Sequence, residues 1–174
     1  VFIHKEMTAE EFLAFEAQHP DKRFNFIDGE IVEVSPKPVH GGIQAFLAAA
    51  LISYMEGNPL SQMYRVYTEV LHVLSGEKFL PDVCVNILTT ADYFTTPPLW
   101  LAEIRSDTQS RAAQRRKMEA YLRHGVAGAV LILPGEAVEV YRPDQAVQVL
   151  TGEDLLDGGT VLPGFSLPVK RLLS

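Results

Sequence analysis

One cysteine stands in 174 residues, so Cys84 has no partner for an internal disulfide. A lone thiol fits a reducing compartment. Its place in the alternating run Leu80-Pro81-Asp82-Val83-Cys84-Val85-Asn86 favours a buried hydrophobe over a nucleophile. Long apolar runs are missing too. The longest, Phe46 to Ile52, gives way to Ser53 and Tyr54 and suits a buried helix, far short of the ~18 residues a membrane span requires. The start, Val1-Phe2-Ile3-His4-Lys5-Glu6, lacks the basic, apolar and small-residue segments of a secretion signal. The expectation is a cytoplasmic protein that does not enter a membrane. None of the five histidines (His4, His19, His40, His72, His124) stands in His-x-x-x-His spacing, and no second cysteine exists to complete a zinc site. A Gly-x-Ser-x-Gly elbow, a phosphate-binding P-loop and a dinucleotide fingerprint are likewise absent, so those chemistries find no support.

Positive charge is scarce overall. The net charge of −7 and pI near 5.2 argue against tight, indiscriminate binding to nucleic acid, which rests on neutralising phosphates. The distribution is uneven, however. Between Asp107 and His124, Arg111, Arg115, Arg116, Lys117 and Arg123 face only Asp107 and Glu119. Such a basic helix on an acidic body can contact phosphates; a solvated helix face is the competing reading.

With 47% hydrophobic residues, the chain has the size and core of one domain, taken as residues 1–174. Thr8-Ala9-Glu10-Glu11 has capping-box spacing and opens a short helix through Ala17. Asp28-Gly29 between Phe24–Ile27 and Glu30–Val34 predicts a hairpin, closed by Ser35-Pro36-Lys37-Pro38. A helix is expected from about Gly42 to Glu56, then a strand over Tyr64–Leu74 turning at Ser75–Lys78 into a hairpin partner, Leu80–Ile87. Strand Leu99–Ile104, a helix over about Thr108–Arg123 capped by Gly125, and the nearly all-apolar strand Ala129–Leu133 follow. Ala137–Tyr141 and Ala146–Leu150 read as further strands, and the tail from Val161 to Pro168 as extended. The economical fold is α/β, a mixed sheet flanked by helices, with an N-terminal hairpin and extra C-terminal strands.

Within this frame two carboxylates are conspicuous. Asp82 and Glu103 each sit in a strand-like apolar run, where a carboxylate is costly unless paired, hydrogen-bonded or bound to metal. Alternation places Asp82 with Cys84 and Asn86, and Glu103 with Leu101 and Arg105. On the following helix Ala113, Gln114, Lys117, Met118, Tyr121 and Leu122 share a face, with Lys117 at its edge, while Arg111, Arg115 and Arg123 face solvent. Hard cations such as Mg²⁺ are held by one or two carboxylates plus substrate phosphates, which points to metal-assisted phosphodiester hydrolysis. The competing readings are structural carboxylates and a lysine snorkelling from the helix edge. Secondary candidates are Glu69, read as mid-strand, where it joins the carboxylates or is an ordinary half-exposed strand residue; Glu30, after a tight turn, with hairpin chemistry as the competing reading; and His40, at a helix start able to hold a phosphate, with an ordinary helix start as the competing reading.

Pro81-Asp82, then Glu103-Ile104-Arg105-Ser106, then a helix with Lys117 and Tyr121 ending in Gly125-Val126, resembles the PD-(D/E)XK nuclease superfamily. More narrowly the chain resembles the small bacterial proteins described as restriction endonucleases of unknown specific function. Asp28-Gly29-Glu30, Glu139-Val140-Tyr141-Arg142 and Leu162-Pro163-Gly164-Phe165 extend the likeness over most of the chain. The resemblance implies a restriction endonuclease-like core, DNA as substrate, and Mg²⁺ (or Mn²⁺) on Asp82 and Glu103. The superfamily lysine two residues after the Glu is replaced by Arg105, which stays protonated but can contact phosphate. In the narrower family that lysine moves to the following helix, here Lys117. Leu133 and Ala113 stand where relatives often carry acids. These departures motivate the alternative, a catalytically silent nuclease-like fold acting as a binding or assembly module. A twofold homodimer is also expected. Mean hydropathy is positive (+0.07), and the alternating Val138-Glu139-Val140 and Val147–Leu150 need cover from the chain itself or a partner.

Overall fold

Thr8 caps the first helix, α1 (Ala9–Ala17), through both arms of a capping box with Glu11, as the spacing predicts. The computed structural model describes residues 2–3, 7–34, 37–106 and 109–174. A short strand β1 (Phe2–Ile3) precedes α1, and the hairpin β2 (Arg23–Ile27) and β3 (Glu30–Val34) follows it. Asp28 and Gly29 both take positive φ (52° and 78°), the geometry a two-residue hairpin demands. Ser35, Pro36, Asp107 and Thr108 lie outside the described residues.

Helix α2 (Pro38–Met55) starts four residues before the Gly42 expected from its apolar periodicity, because Pro38 is preorganised for a first turn. Strands β4 (Tyr64–Tyr67), β5 (His72–Leu74), β6 (Glu77–Phe79), β7 (Val83–Ile87) and β8 (Trp100–Ile104) come next. Helix α3 (Arg111–Arg123) is capped by Ser110, and the start expected near Thr108 lies outside the described residues. It ends in a Schellman arrangement: Val126 N–H reaches Tyr121 O and Gly125 N–H reaches Leu122 O, with Gly125 at φ 94°. The chain closes with β9 (Gly128–Leu133), β10 (Ala137–Tyr141), β11 (Gln148–Leu150), β12 (Leu155–Asp157) and β13 (Ser166–Pro168). Thus β11 is shorter than the predicted Ala146–Leu150, and the tail contributes a two-stranded sheet.

The strands form two larger sheets. One, in order β1-β3-β2-β6-β5, is antiparallel and packs Phe24, Phe26 and Ile31 against Phe12 of α1. The other, β11-β10-β9-β8-β7-β4, is mixed, with β8 and β9 parallel and joined through α3. Alternation along its strands sorts the core into two layers. Val83, Val85, Ala102, Ile104, Val130 and Ile132 face Leu47 and Leu51 of α2. Cys84, Leu101, Ala129, Leu131 and Leu133 face Met118 and Tyr121 of α3. Truncating one of these, Leu101 for example, costs about 2–5 kcal/mol. Burial pushes the Cys84 thiol up to about 12, in keeping with a core hydrophobe.

One expected hairpin is corrected. Tyr64–Leu74 is not a single strand paired with Leu80–Ile87: β4 pairs with β7 in the mixed sheet, whereas β5 and β6 pair in the other. The chain changes sheets twice, between Tyr67 and His72 and again between Phe79 and Val83. At the first change Glu69 takes φ 53°, so it is not mid-strand, and its N–H bonds Pro81 O across the second. Pro81 is the signal for the break, since it has no N–H for a ladder.

Candidate functional site

Asp82 sits where the chain leaves one sheet for the other, one residue before β7, and its carboxylate is held from two directions. Oδ2 accepts the N–H of Ile104 at 2.6 Å, tying the start of β7 to the end of β8. Oδ1 lies 3.1 Å from His40 Nε2. One turn further along α2, Gln44 donates to the Asp82 carbonyl at 2.9 Å and to Glu69 at 3.3 Å. His40 and Gln44 are four residues apart, so one face of α2 grips Asp82 twice. Burial opposes protonation of His40, but the Asp82 bond and the nearby Glu103 and Glu69 carboxylates outweigh it and raise its pKa.

Glu103, on β8, is engaged by α3. Lys117 Nζ approaches Oε2 at 2.8 Å and Tyr121 donates its hydroxyl to Oε1 at 2.6 Å. These partners are again four residues apart. Asp82, Glu103, Lys117 and His40 are 5, 7, 7 and 4% exposed, so Lys117 is buried rather than at a wet helix edge. Burial pushes the Glu103 carboxyl up to about 7, with the Asp82 charge adding to the rise and Lys117 and Tyr121 opposing it. Burial and the Glu103 charge likewise hold the Tyr121 hydroxyl well above its ordinary value.

The structure therefore brings Asp82, Glu103, Lys117 and His40 together, with Glu69 at the margin through Gln44. His40 differs from its expected role: it is three residues into α2 with its ring on Asp82, rather than an open helix start awaiting phosphate. Arg105 is elsewhere. It pairs with Glu136 at 2.6 Å, and Arg111 shares that partner. Arg115 is not simply solvent-facing, because it forks onto buried Glu139, which also accepts from Tyr141 at 2.6 Å. Exposed Glu30 lines a cavity of about 150 Å³ between the β2–β3 hairpin and α3, and Lys117 lines its other side. The sequence assigns no role to Tyr121 or Gln44; their four-residue spacing from Lys117 and His40 is the signal that points to them.

The donors suit a hard cation. Asp82 and Glu103 supply carboxylate oxygens from buried positions, and among the described residues no third His, Cys, Asp or Glu joins them in a ready cage. Two carboxylates with the remaining positions left to water and phosphate match the habits of Mg²⁺ better than those of Zn²⁺ or Ca²⁺. Among the described residues no helix is long and apolar enough to cross a membrane.

Comparison with known proteins identifies the family and the fold. The family model "Uma2: Putative restriction endonuclease" matches residues 9–170. A solved structure described as a putative nuclease belonging to DUF820, from Anabaena variabilis, superposes with a TM-score of 0.82 at 26% identity, covering 96% of this chain and 97% of that one. No curated protein matches the chain. The restriction endonuclease-like fold expected from the sequence is the fold observed.

Proposed function

The chain belongs to the Uma2 family, and from that premise we propose that it is a divalent-metal-dependent endonuclease acting on DNA. The observation carrying this reading is the pair Asp82–Glu103: two buried carboxylates, the charge of Asp82 adding to the rise at Glu103, with the buried Lys117 both paired to Glu103 and lining a cavity. Such an arrangement is poorly explained by stability alone, since buried like charges cost free energy unless something cationic completes them.

In this reading Asp82 and Glu103 hold Mg²⁺ or Mn²⁺. The ion supplies Lewis-acid stabilisation of the charge that develops on the scissile phosphate. Lys117 contributes a fixed positive charge to the same developing anion and orients the attacking water. His40 and the Ile104 N–H hold the Asp82 carboxylate, while Tyr121 holds that of Glu103, so neither must reorganise when substrate arrives.

The test is cleavage of plasmid and oligonucleotide DNA with Mg²⁺ or Mn²⁺, compared with Asp82→Ala and Glu103→Ala. Metal-dependent cutting that both substitutions abolish supports the proposal; no cutting by the wild-type protein across both metals and several substrates counts against it. A second reading, a silent binding module, has one observation in its favour: every oxygen of the two carboxylates already accepts a bond from within the chain. Calorimetry separates the two, because metal binding that needs both Asp82 and Glu103 is foreign to a silent module. A twofold homodimer completes the proposal. Val138, Val140 and Leu150 are covered within the chain, but Val147 and Val149 stay exposed on the β11 side of the mixed sheet. Light scattering checks it: a stable mass of 19.3 kDa excludes the dimer.

A further inference from the structure

The basic character of α3 is largely spent inside the molecule. Arg111 is committed to Glu136, Arg115 to Glu139 and Lys117 to Glu103. Arg116 is different. Among the described residues it makes no ion pair and no hydrogen bond, although it lies beside Lys117 in the wall of the 150 Å³ cavity. Ala113 lines that wall too, one turn earlier, where an acid would sit at the right spacing to pair with either cation. The small side chain leaves both the space and the charge of Arg116 uncommitted. Gln109 adds an amide to the same wall, and the hairpin opposite is acidic through Asp28 and Glu30.

Resting on the nuclease reading above, we propose that Arg116 is a substrate-binding residue that takes a backbone phosphate next to the one being cut, seated against the α3 wall of this cavity. Several features of the site favour this. A guanidinium presents a planar fork that matches phosphate oxygens, and it stays charged at every relevant pH. Its place adjoining Lys117 sets one phosphate at Arg116 when its neighbour lies at the carboxylates. The acidic hairpin repels the backbone from the opposite wall and so sets the side on which the strand runs. Most of the molecule is net negative, so a single uncommitted cation at the site carries more of the binding than it would on a basic protein.

The experiment measures binding of a fluorescein-labelled DNA duplex and of a single strand by anisotropy, with chelator present to prevent cleavage, over a series of NaCl concentrations. Wild type is compared with Arg116→Ala, Ala113→Asp and Arg123→Ala; Arg123 is on the same helix but does not line the cavity. Arg116→Ala is expected to weaken binding about tenfold and to lower the slope of log K against log salt by about 0.9 on duplex or about 0.7 on a single strand, the value of one phosphate contact. Ala113→Asp should reproduce the loss by pairing Arg116, and Arg123→Ala should stay within about twofold of wild type. The Arg116→Ala melting temperature should match wild type, since among the described residues no hydrogen bond or ion pair is removed. If wild type binds and cuts DNA while Arg116→Ala matches it in affinity and salt slope, the assignment of Arg116 is wrong and the nuclease reading stands. If wild type binds no nucleic acid in any condition, both fall.

Discussion

Glu103 and Glu139 occupy matched places in one sheet. Leu131 of β9 lies between them, in register with Glu103 on β8 and with Glu139 on β10. Both carboxylates are buried beneath α3, and each accepts from one cation of that helix and one tyrosine hydroxyl. Their electrostatics are opposite. Burial opposes ionisation of Glu139, but the Arg115 fork and the Tyr141 hydroxyl overcome it and hold its pKa below the usual range. At Glu103 burial is the stronger influence and outweighs Lys117 and Tyr121, with the Asp82 charge adding to the rise, so the pKa is raised. The teaching is that a buried, paired carboxylate is not by itself a functional signal. A second carboxylate nearby, Asp82, is what distinguishes the proposed metal centre at Glu103 from the Arg115 network at Glu139.

The comparison breaks most sharply on activity. Glu103→Ala and Asp82→Ala should each lower metal-dependent cleavage about a thousandfold, whereas Glu139→Gln should leave cleavage per folded molecule within a few fold. Equal losses at Glu103 and Glu139 would erase the distinction.

Stability should show the reverse emphasis. Glu139→Gln removes the partner of Arg115 from a satisfied network and should cost about 2 kcal/mol in urea unfolding. An undisturbed denaturation midpoint would mean that the Arg115 fork is no more than a surface pair.

Tyr121→Phe sharpens the contrast at the other centre. Losing one hydroxyl leaves Glu103 less firmly held, with an expected tenfold or smaller fall in cleavage and about 1 kcal/mol of stability. A loss of metal affinity without a loss of rate, or the converse, would show whether the hydroxyl positions the carboxylate for the ion or for the substrate.

The smallest effect is in pH. A carboxylate held below its unfolded value contributes stability present above that value and lost as pH falls through the folded one. Glu139 therefore contributes stability that is full above its ordinary value of 4.5 and is lost as pH falls below that through its lowered folded value, so the wild type should lose melting temperature on acidification more steeply than Glu139→Gln. Superimposable profiles would remove Glu139 from the acid response.

Much of this was legible beforehand. Strand alternation put Asp82 with Cys84 and Glu103 with Leu101, and the core layers follow that division. Asp28-Gly29, the Thr8–Glu11 box and Gly125 each did what their local chemistry dictates. The Tyr64–Leu74 strand failed because an apolar run looks the same whether it stays in one sheet or crosses to a second. The cations were legible only in part. Lys117 was set apart on the packed face of its helix and meets Glu103, but nothing local foretold that Arg105 and Arg111 would share Glu136 or that Arg115 would fork onto Glu139.

What the sequence alone determined, then, was much of what acts over a few residues: the Thr8 cap, the Asp28-Gly29 turn, the face of each strand, and the setting of Asp82 and Glu103 in apolar runs. Only the tertiary structure decided where the chain changed sheets, that His40 reached Asp82, and that Arg105 turned away to Glu136. Those outcomes depend on strand register and on where α2 and α3 lie across the sheet. Partners so far apart in the chain are chosen by the packing of the whole core, and no local pattern encodes that choice.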